Sequence, residues 1–143
     1  MGFIPKGVIY SCILISGLIF WLSNCEQSFA DDKKDCHHTA KTQDDLNECS
    51  HKDGEEAKAR LDDVYNKLMA KISPVGQARL KLAREAWTVY RAEDCEFESL
   101  GSSTGSIHPT IVNECYAYLT NEYAKLLERH LNCVEGDSSC GGQ

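Results

Sequence analysis

At 143 residues the chain has room for one compact domain with a modest core, not for two. Its formal charge of −7 argues against binding nucleic acid or anionic lipid by electrostatics, since both need a cationic face. The same charge permits attraction to a basic protein.

The chain opens on a leader. Lys6 precedes an apolar run from Val8 to Leu22, and the small residues Ser28 and Ala30 fall at the −3 and −1 positions of a cleavage site before Asp31. The run is shorter than the roughly 20 residues of a membrane span and has the length of a signal-peptide core. Residues 1–30 are therefore predicted to be a cleaved signal peptide, and 31–143 a single exported domain, periplasmic or secreted, with no membrane span after cleavage. A second processing is written into the same segment. Leu22-Ser23-Asn24-Cys25 approximates a lipobox, which would acylate Cys25 and tether the domain as a lipoprotein, although Asn24 stands where Gly or Ala is usual. Either cleavage leaves six cysteines in an oxidising compartment: Cys36, Cys49, Cys95, Cys115, Cys133 and Cys140.

Beyond the leader, residues 31–41 are polar. Thr42 is an N-cap with Asp45 three residues on, a near-match to the capping box. Leu46 and Cys49 share a helical face; His51-Lys52-Asp53-Gly54 is expected to kink or interrupt it, because Gly costs about 1 kcal/mol in a helix interior. Periodicity returns at Ala57, Leu61, Val64, Tyr65, Leu68 and Ile72, the clearest amphipathic helix in the chain. Ser73-Pro74 then starts a second helix to about Glu98, expected to bury Leu80, Ala83, Ala86, Trp87, Tyr90 and Cys95. The short join predicts that these two helices pack antiparallel. Leu100 to Pro109 is a Gly/Ser loop. A third helix is predicted from Pro109 to about Asn132, with Val112, Cys115, Leu119, Leu126 and Leu127 apolar, followed by a Gly/Ser-rich tail. The fold class predicted is all-α: three main helices in a small antiparallel bundle stapled by disulfides.

Six thiols allow fifteen pairings, and sequence alone does not choose. Helix geometry narrows them. Cys95–Cys115 would pin the second and third helices across the loop, Cys36–Cys49 would clamp the N-terminal segment, and Cys133–Cys140 would close the tail. The rival use is metal: Cys36-His37-His38 and Cys49-Ser50-His51 are a ligand set zinc likes, but the spacing matches no established zinc pattern. No metal and no cofactor is predicted, and the three histidines read as surface residues.

Catalytic patterns are absent from the sequence: no Gly-x-Ser-x-Gly elbow, no His-Glu-x-x-His, no phosphate-binding glycine loop. His108 beside the loop serines could act as a base, yet a nucleophilic serine also needs an oxyanion hole. The pairs Asp44-Asp45, Asp62-Asp63 and Glu93-Asp94 point apart on helices and read as solvated surface. The chain is predicted not to be an enzyme. Trp87, Tyr90 and Arg91 admit two readings: both rings fill the core while Arg91 pairs with a carboxylate, or part of the cluster is exposed as an interface hot spot. The first is preferred.

Trp87-x-x-Tyr90-Arg91-x-x-x-Cys95, a Gly/Ser loop, then Cys115 and Leu119-Thr120 resemble the LprI-type lysozyme-inhibitor domain. Upstream, Cys36, Thr42-Gln43, Cys49 and Leu61-Asp62-x-x-Tyr65 agree in order, so that the likeness spans about Cys36 to Leu127. Lys58, Arg84 and Tyr123 depart from it, standing where the family commonly has an acid, a Gln and an Arg; the Cys133/Cys140 tail looks like an addition. The resemblance implies an exported, helical, disulfide-bonded domain without catalytic residues, and in some members inhibition of lysozyme. The expected function is thus a non-catalytic binding protein of the cell envelope whose partner is a cationic lysozyme. The alternative is an envelope adaptor that binds another exported protein or peptidoglycan. A blocking loop must be reachable, so the expected contact is Gly101, Ser102, Ser103, Thr104, Gly105, Ser106 and His108. The oligomeric state is left open by these patterns.

Overall fold

A computed structural model describes residues 36–134, 136–137 and 140. The predicted signal peptide and the lipobox at Cys25 lie outside the described residues. Three long helices account for most of the rest: α1 (Gln43–Lys71), α2 (Pro74–Ser99) and α3 (His108–Leu131). Among the described residues there is no strand, and the fold is an all-α helical bundle. No described helix is long and apolar enough to cross a membrane.

The helix boundaries follow from local chemistry. The Thr42 hydroxyl accepts from the Asp45 amide while the Asp45 carboxylate accepts from the Thr42 amide, so a complete capping box starts α1. The Lys41 amide, which donates to the same carboxylate, and then the Thr42 hydroxyl and amide hold the Asp45 carboxyl below its ordinary range. Ser73 accepts from the Gly76 amide, and Pro74 takes a first-turn position where its missing N–H is no loss. Gly54 does not interrupt α1, which is continuous for 29 residues. Cys49 and Ser50 before the glycine and Ala57 after it are all buried, and this tertiary anchoring on both sides outweighs the cost of one glycine.

α2 runs back antiparallel to α1, as the short join predicts, and α3 returns parallel to α1. The tightest packing, however, is between α1 and α3. Their stripes meet in one core of Leu61, Val64, Leu68, Ile72, Tyr123, Ala124 and Leu127. Arg60 forks onto Glu128, and Lys71 Nζ donates to the Leu131 carbonyl, tying the same two helices at their rims. α2 reaches this core only through long side chains, chiefly Leu80 and Trp87. Ala83, Ala86 and Tyr90, expected inside, are exposed; of α2 only Cys95 and Ser99 are fully buried. The reason is that α2 carries apolar residues on two faces, and periodicity does not say which one the α1/α3 pair will cover.

All three cysteine pairings favoured by helix geometry are formed: Cys36–Cys49, Cys95–Cys115 and Cys133–Cys140, with Cα–Cα distances of 5.8, 5.6 and 5.7 Å. The first clamps a helical turn at residues 36–39 onto α1, where His37 Nε2 also meets Asp53 at 3.0 Å. The second lies at the base of the loop between α2 and α3, with Cys95 wholly buried.

Candidate functional site

The loop between α2 and α3 is shorter and stiffer than its composition suggests. Leu100–Ser102 continue α2 as a single 3₁₀ turn, and α3 begins at His108, one residue before the expected start. Between them, Ser103 N donates to Leu100 O, Gly105 N to Ser102 O at 2.7 Å, and His108 N to Gly105 O. A Cβ on Gly105 would lie 3.3 Å from the Ser102 carbonyl oxygen, so a larger residue there would require the turn to give by a few tenths of an ångström. Asn47 of α1 reaches over to donate to the Ser106 carbonyl and accepts a 2.6 Å bond from Thr110. Gln43 donates to both Asn47 and Thr110, and Asn113 donates to the buried Ser50 hydroxyl. The loop is therefore held between a disulfide and an amide–hydroxyl network from the start of α1. Gln43, Asn47 and Asn113 were not legible as site residues. Thr42-Gln43 in the resemblance was the nearest signal.

Ser102 and His108 do meet, with Oγ and Nδ1 3.2 Å apart. The Ser102 hydroxyl donates its proton to the Ser99 carbonyl at 2.8 Å. Nδ1 must then be the donor to Oγ, the reverse of what a general base does. The contact closes the turn. Of the other expected loop residues, Gly101, Ser103, Thr104, Gly105 and Ser106 are exposed, along with Ile107 and the neighbouring Phe97 and Leu100. The segment from Ala92 to Ile107 carries Glu93, Asp94, Glu96 and Glu98 and no Lys or Arg, so the rim of the loop is acidic and apolar together.

The aromatic cluster sits below, between the helices. Trp87 stacks on Tyr123 with ring centroids 4.4 Å apart. Among the described residues, Arg91 does not pair with a carboxylate. Its Nη1 donates to the buried Thr120 hydroxyl at 2.8 Å, and its guanidinium lies 4.8 Å from the Trp87 centroid and 4.9 Å from that of Tyr116. Two π faces replace the carboxylate, and burial lowers the Arg91 pKa. Tyr90 has separated from the pair and turned outward, its hydroxyl bonded to Asp94 at 3.1 Å. That bond to a carboxylate pushes the phenol pKa up.

The three departures from the resembled pattern fall in one place. Asp62 accepts from Lys58 at 2.8 Å and from Arg84, while the Arg84 guanidinium lies 4.2 Å over the Tyr65 ring. The hydrogen bond from Lys58, joined by Arg84, holds the Asp62 carboxyl below its ordinary range, and Asp62 in turn raises Lys58. Tyr123 is buried with its hydroxyl lacking a partner among the described residues, and burial raises its pKa. Lys58 and Arg84 thus form a Lys–Asp–Arg ion chain beside the Trp87–Tyr123 stack. This arrangement joins helices and presents no reactive group.

The cysteine–histidine set offers no thiolate, because Cys36 and Cys49 are bonded to each other. The same holds where Cys133, Asp137 and Cys140 converge. His37 is half-buried against Asp53; His38 and His51 are exposed. At the far end of the bundle, α1 and α2 frame an open apolar cleft of about 430 Å³ lined by Leu68, Ile72, Val75, Leu80 and Ala83.

An uncharacterized protein of Rhizobium meliloti (strain 1021) is 29% identical over 114 residues, covering 71% of this chain and 81% of that protein. No solved structure matches. The family model described as lysozyme inhibitor LprI matches residues 35–127, which include α1, α2, most of α3 and the two disulfides that bind them. The chain belongs to the LprI lysozyme-inhibitor family.

Proposed function

We propose that this protein is an exported, non-catalytic inhibitor of a cationic lysozyme and protects the cell envelope. Family membership over residues 35–127 carries the reading. Charge supports it: a chain of net charge −7 suits a basic partner, and rim carboxylates raise the association rate by steering. The contact proposed is the Gly101–Ser106 turn with His108, flanked by Phe97, Leu100 and Ile107. A turn that the Cys95–Cys115 bridge and Asn47 already hold loses little conformational freedom on docking. Its exposed apolar residues supply the anchors, and Glu93, Glu96 and Glu98 supply the charged rim. Three disulfides fit an oxidising compartment, and in this reading residues 1–30 are the signal peptide, with 31–143 as the mature domain.

The test is lysis of a Gram-positive cell-wall suspension by a cationic lysozyme, with and without the oxidised protein. Inhibition at near-stoichiometric ratios, weakened by salt and lost on reduction, is the expected outcome. Undiminished lysis across several lysozyme classes would remove the proposal and leave an envelope adaptor as the working alternative.

A further inference from the structure

Along the outer face of α2 a set of exposed residues is symmetrically spaced. Val75, Arg79, Leu82, Ala86, Tyr90, Glu93 and Phe97 are all exposed and lie along one line of the helix. Their spacings are 4, 3, 4, 4, 3 and 4, a palindrome centred on Ala86. The mean step is close to the 3.6 residues of an α-helical turn, so the line runs nearly parallel to the axis over about 33 Å. Val89 flanks it, also exposed.

We propose that α2 pairs antiparallel with α2 of a second copy of this chain, across a two-fold axis at Ala86. An isologous contact brings residue i of one copy to residue j of the other and j to i. Centred on Ala86, that rule sets Val75 against Phe97, Arg79 against Glu93 and Leu82 against Tyr90, each twice, with the two Ala86 residues at the axis. Every pairing is complementary: apolar with apolar, aliphatic with aromatic, cation with anion. The smallest side chain falls where two helices of close approach need one. Neither Arg79 nor Glu93 has an ion-pair partner among the described residues.

A second feature fits the same docking. Val75 stands on the lip of the apolar cleft framed by α1 and α2, and Gly76, Leu80 and Ala83 continue its wall on one side of α2. In the antiparallel pair the partner's Phe97 meets Val75, at the lip of that cleft. Phe97 is 72% exposed in the single chain, so each copy would gain an aromatic anchor in a preformed pocket. The loop from Gly101 to Ser106 lies beyond the seam, but Phe97 and Glu93 belong both to the seam and to the flank of the proposed lysozyme contact, so the dimer and a lysozyme would compete for them.

A seam one side chain wide is narrow beside the roughly 800 Å² per partner of standard complexes, so a weak dimer is expected, with a dissociation constant above about 1 μM. Sedimentation equilibrium of the oxidised protein, expressed from its full-length chain, at physiological ionic strength measures it. The mass is expected to rise from monomer toward dimer between roughly 1 μM and 1 mM. Glu93→Arg and Arg79→Glu should each weaken the dimer at least about tenfold, by setting like charges opposite. The double reversal should regain most of the affinity, which no general loss of structure would produce. A monomer up to the top concentration, reversals without effect, or a double variant no better than the singles would each overturn the proposal.

Discussion

The α1/α3 pair and α2 are built from similar residues and are stabilised in different ways. α1 and α3 each present a single apolar stripe and bury it in the other, so that Leu61, Leu68, Ala124 and Leu127 are almost fully shielded. α2 turns Arg84 and Arg91 inward and leaves Val75, Leu82, Val89 and Phe97 in water. It is held by an ion chain through Asp62, by guanidinium groups over Tyr65 and Tyr116, by the Trp87–Tyr123 stack and by one disulfide. The difference separates a helix that belongs to the core from one that is fastened to it, and it frees the outer face of α2 for a partner.

Breaking the core side should cost most. Leu61→Ala is expected to lower stability by about 2–5 kcal/mol in chemical denaturation, the range for emptying a packed leucine site. Replacing Cys95 and Cys115 together with alanine attacks the fastening. Opening a loop with a separation of 20 residues should cost about 3 kcal/mol on the chain-entropy model and loosen α2 before α1 and α3, as seen by hydrogen exchange. Equal loss of protection in all three helices would show that α2 is part of one cooperative unit with the core.

The ion chain sharpens the contrast through pH. The folded state holds the Asp62 carboxyl below its ordinary range, so between the folded and unfolded pKa values the unfolded chain binds more protons. Its contribution is present above about pH 4 and is lost as pH falls through the lowered pKa. Because Asp62, Lys58 and Arg84 are partly solvated, the effect should be small, and Asp62→Asn should flatten the acid limb of a stability–pH curve without moving its neutral plateau much. Smallest of all is Leu82→Ala. At 57% exposure it should change monomer stability by no more than about 0.5 kcal/mol. A larger loss in dilute solution would mean that the outer face of α2 is covered within the single chain.

Local chemistry was legible where one signal stood without a competitor. Thr42 with Asp45, Ser73 with Pro74, and the stripe from Ala57 to Ile72 each became the structure they predict. Gly54 misled because helix propensity is weaker than burial on both sides of it. Tyr90 misled because α2 has an apolar residue at nearly every angle, and Trp87 and Tyr90 lie apart by enough rotation for one to be covered and the other left out. Asn47 and Gln43 were invisible as loop partners, since a hydrogen bond to the Ser106 carbonyl across 59 residues has no sequence pattern.

Sequence by itself determined the helices, their caps, the acidic charge and a family-specific order of Cys, Trp, Tyr and Arg, because each depends on near neighbours or on totals. Only the tertiary structure decided which face of α2 turns inward, that Arg91 lies between Trp87 and Tyr116 in place of a carboxylate, and that the Gly101–Ser106 turn is held by α1. Those outcomes depend on which surfaces α1 and α3 leave uncovered after packing on each other, and that is a property of the assembled bundle.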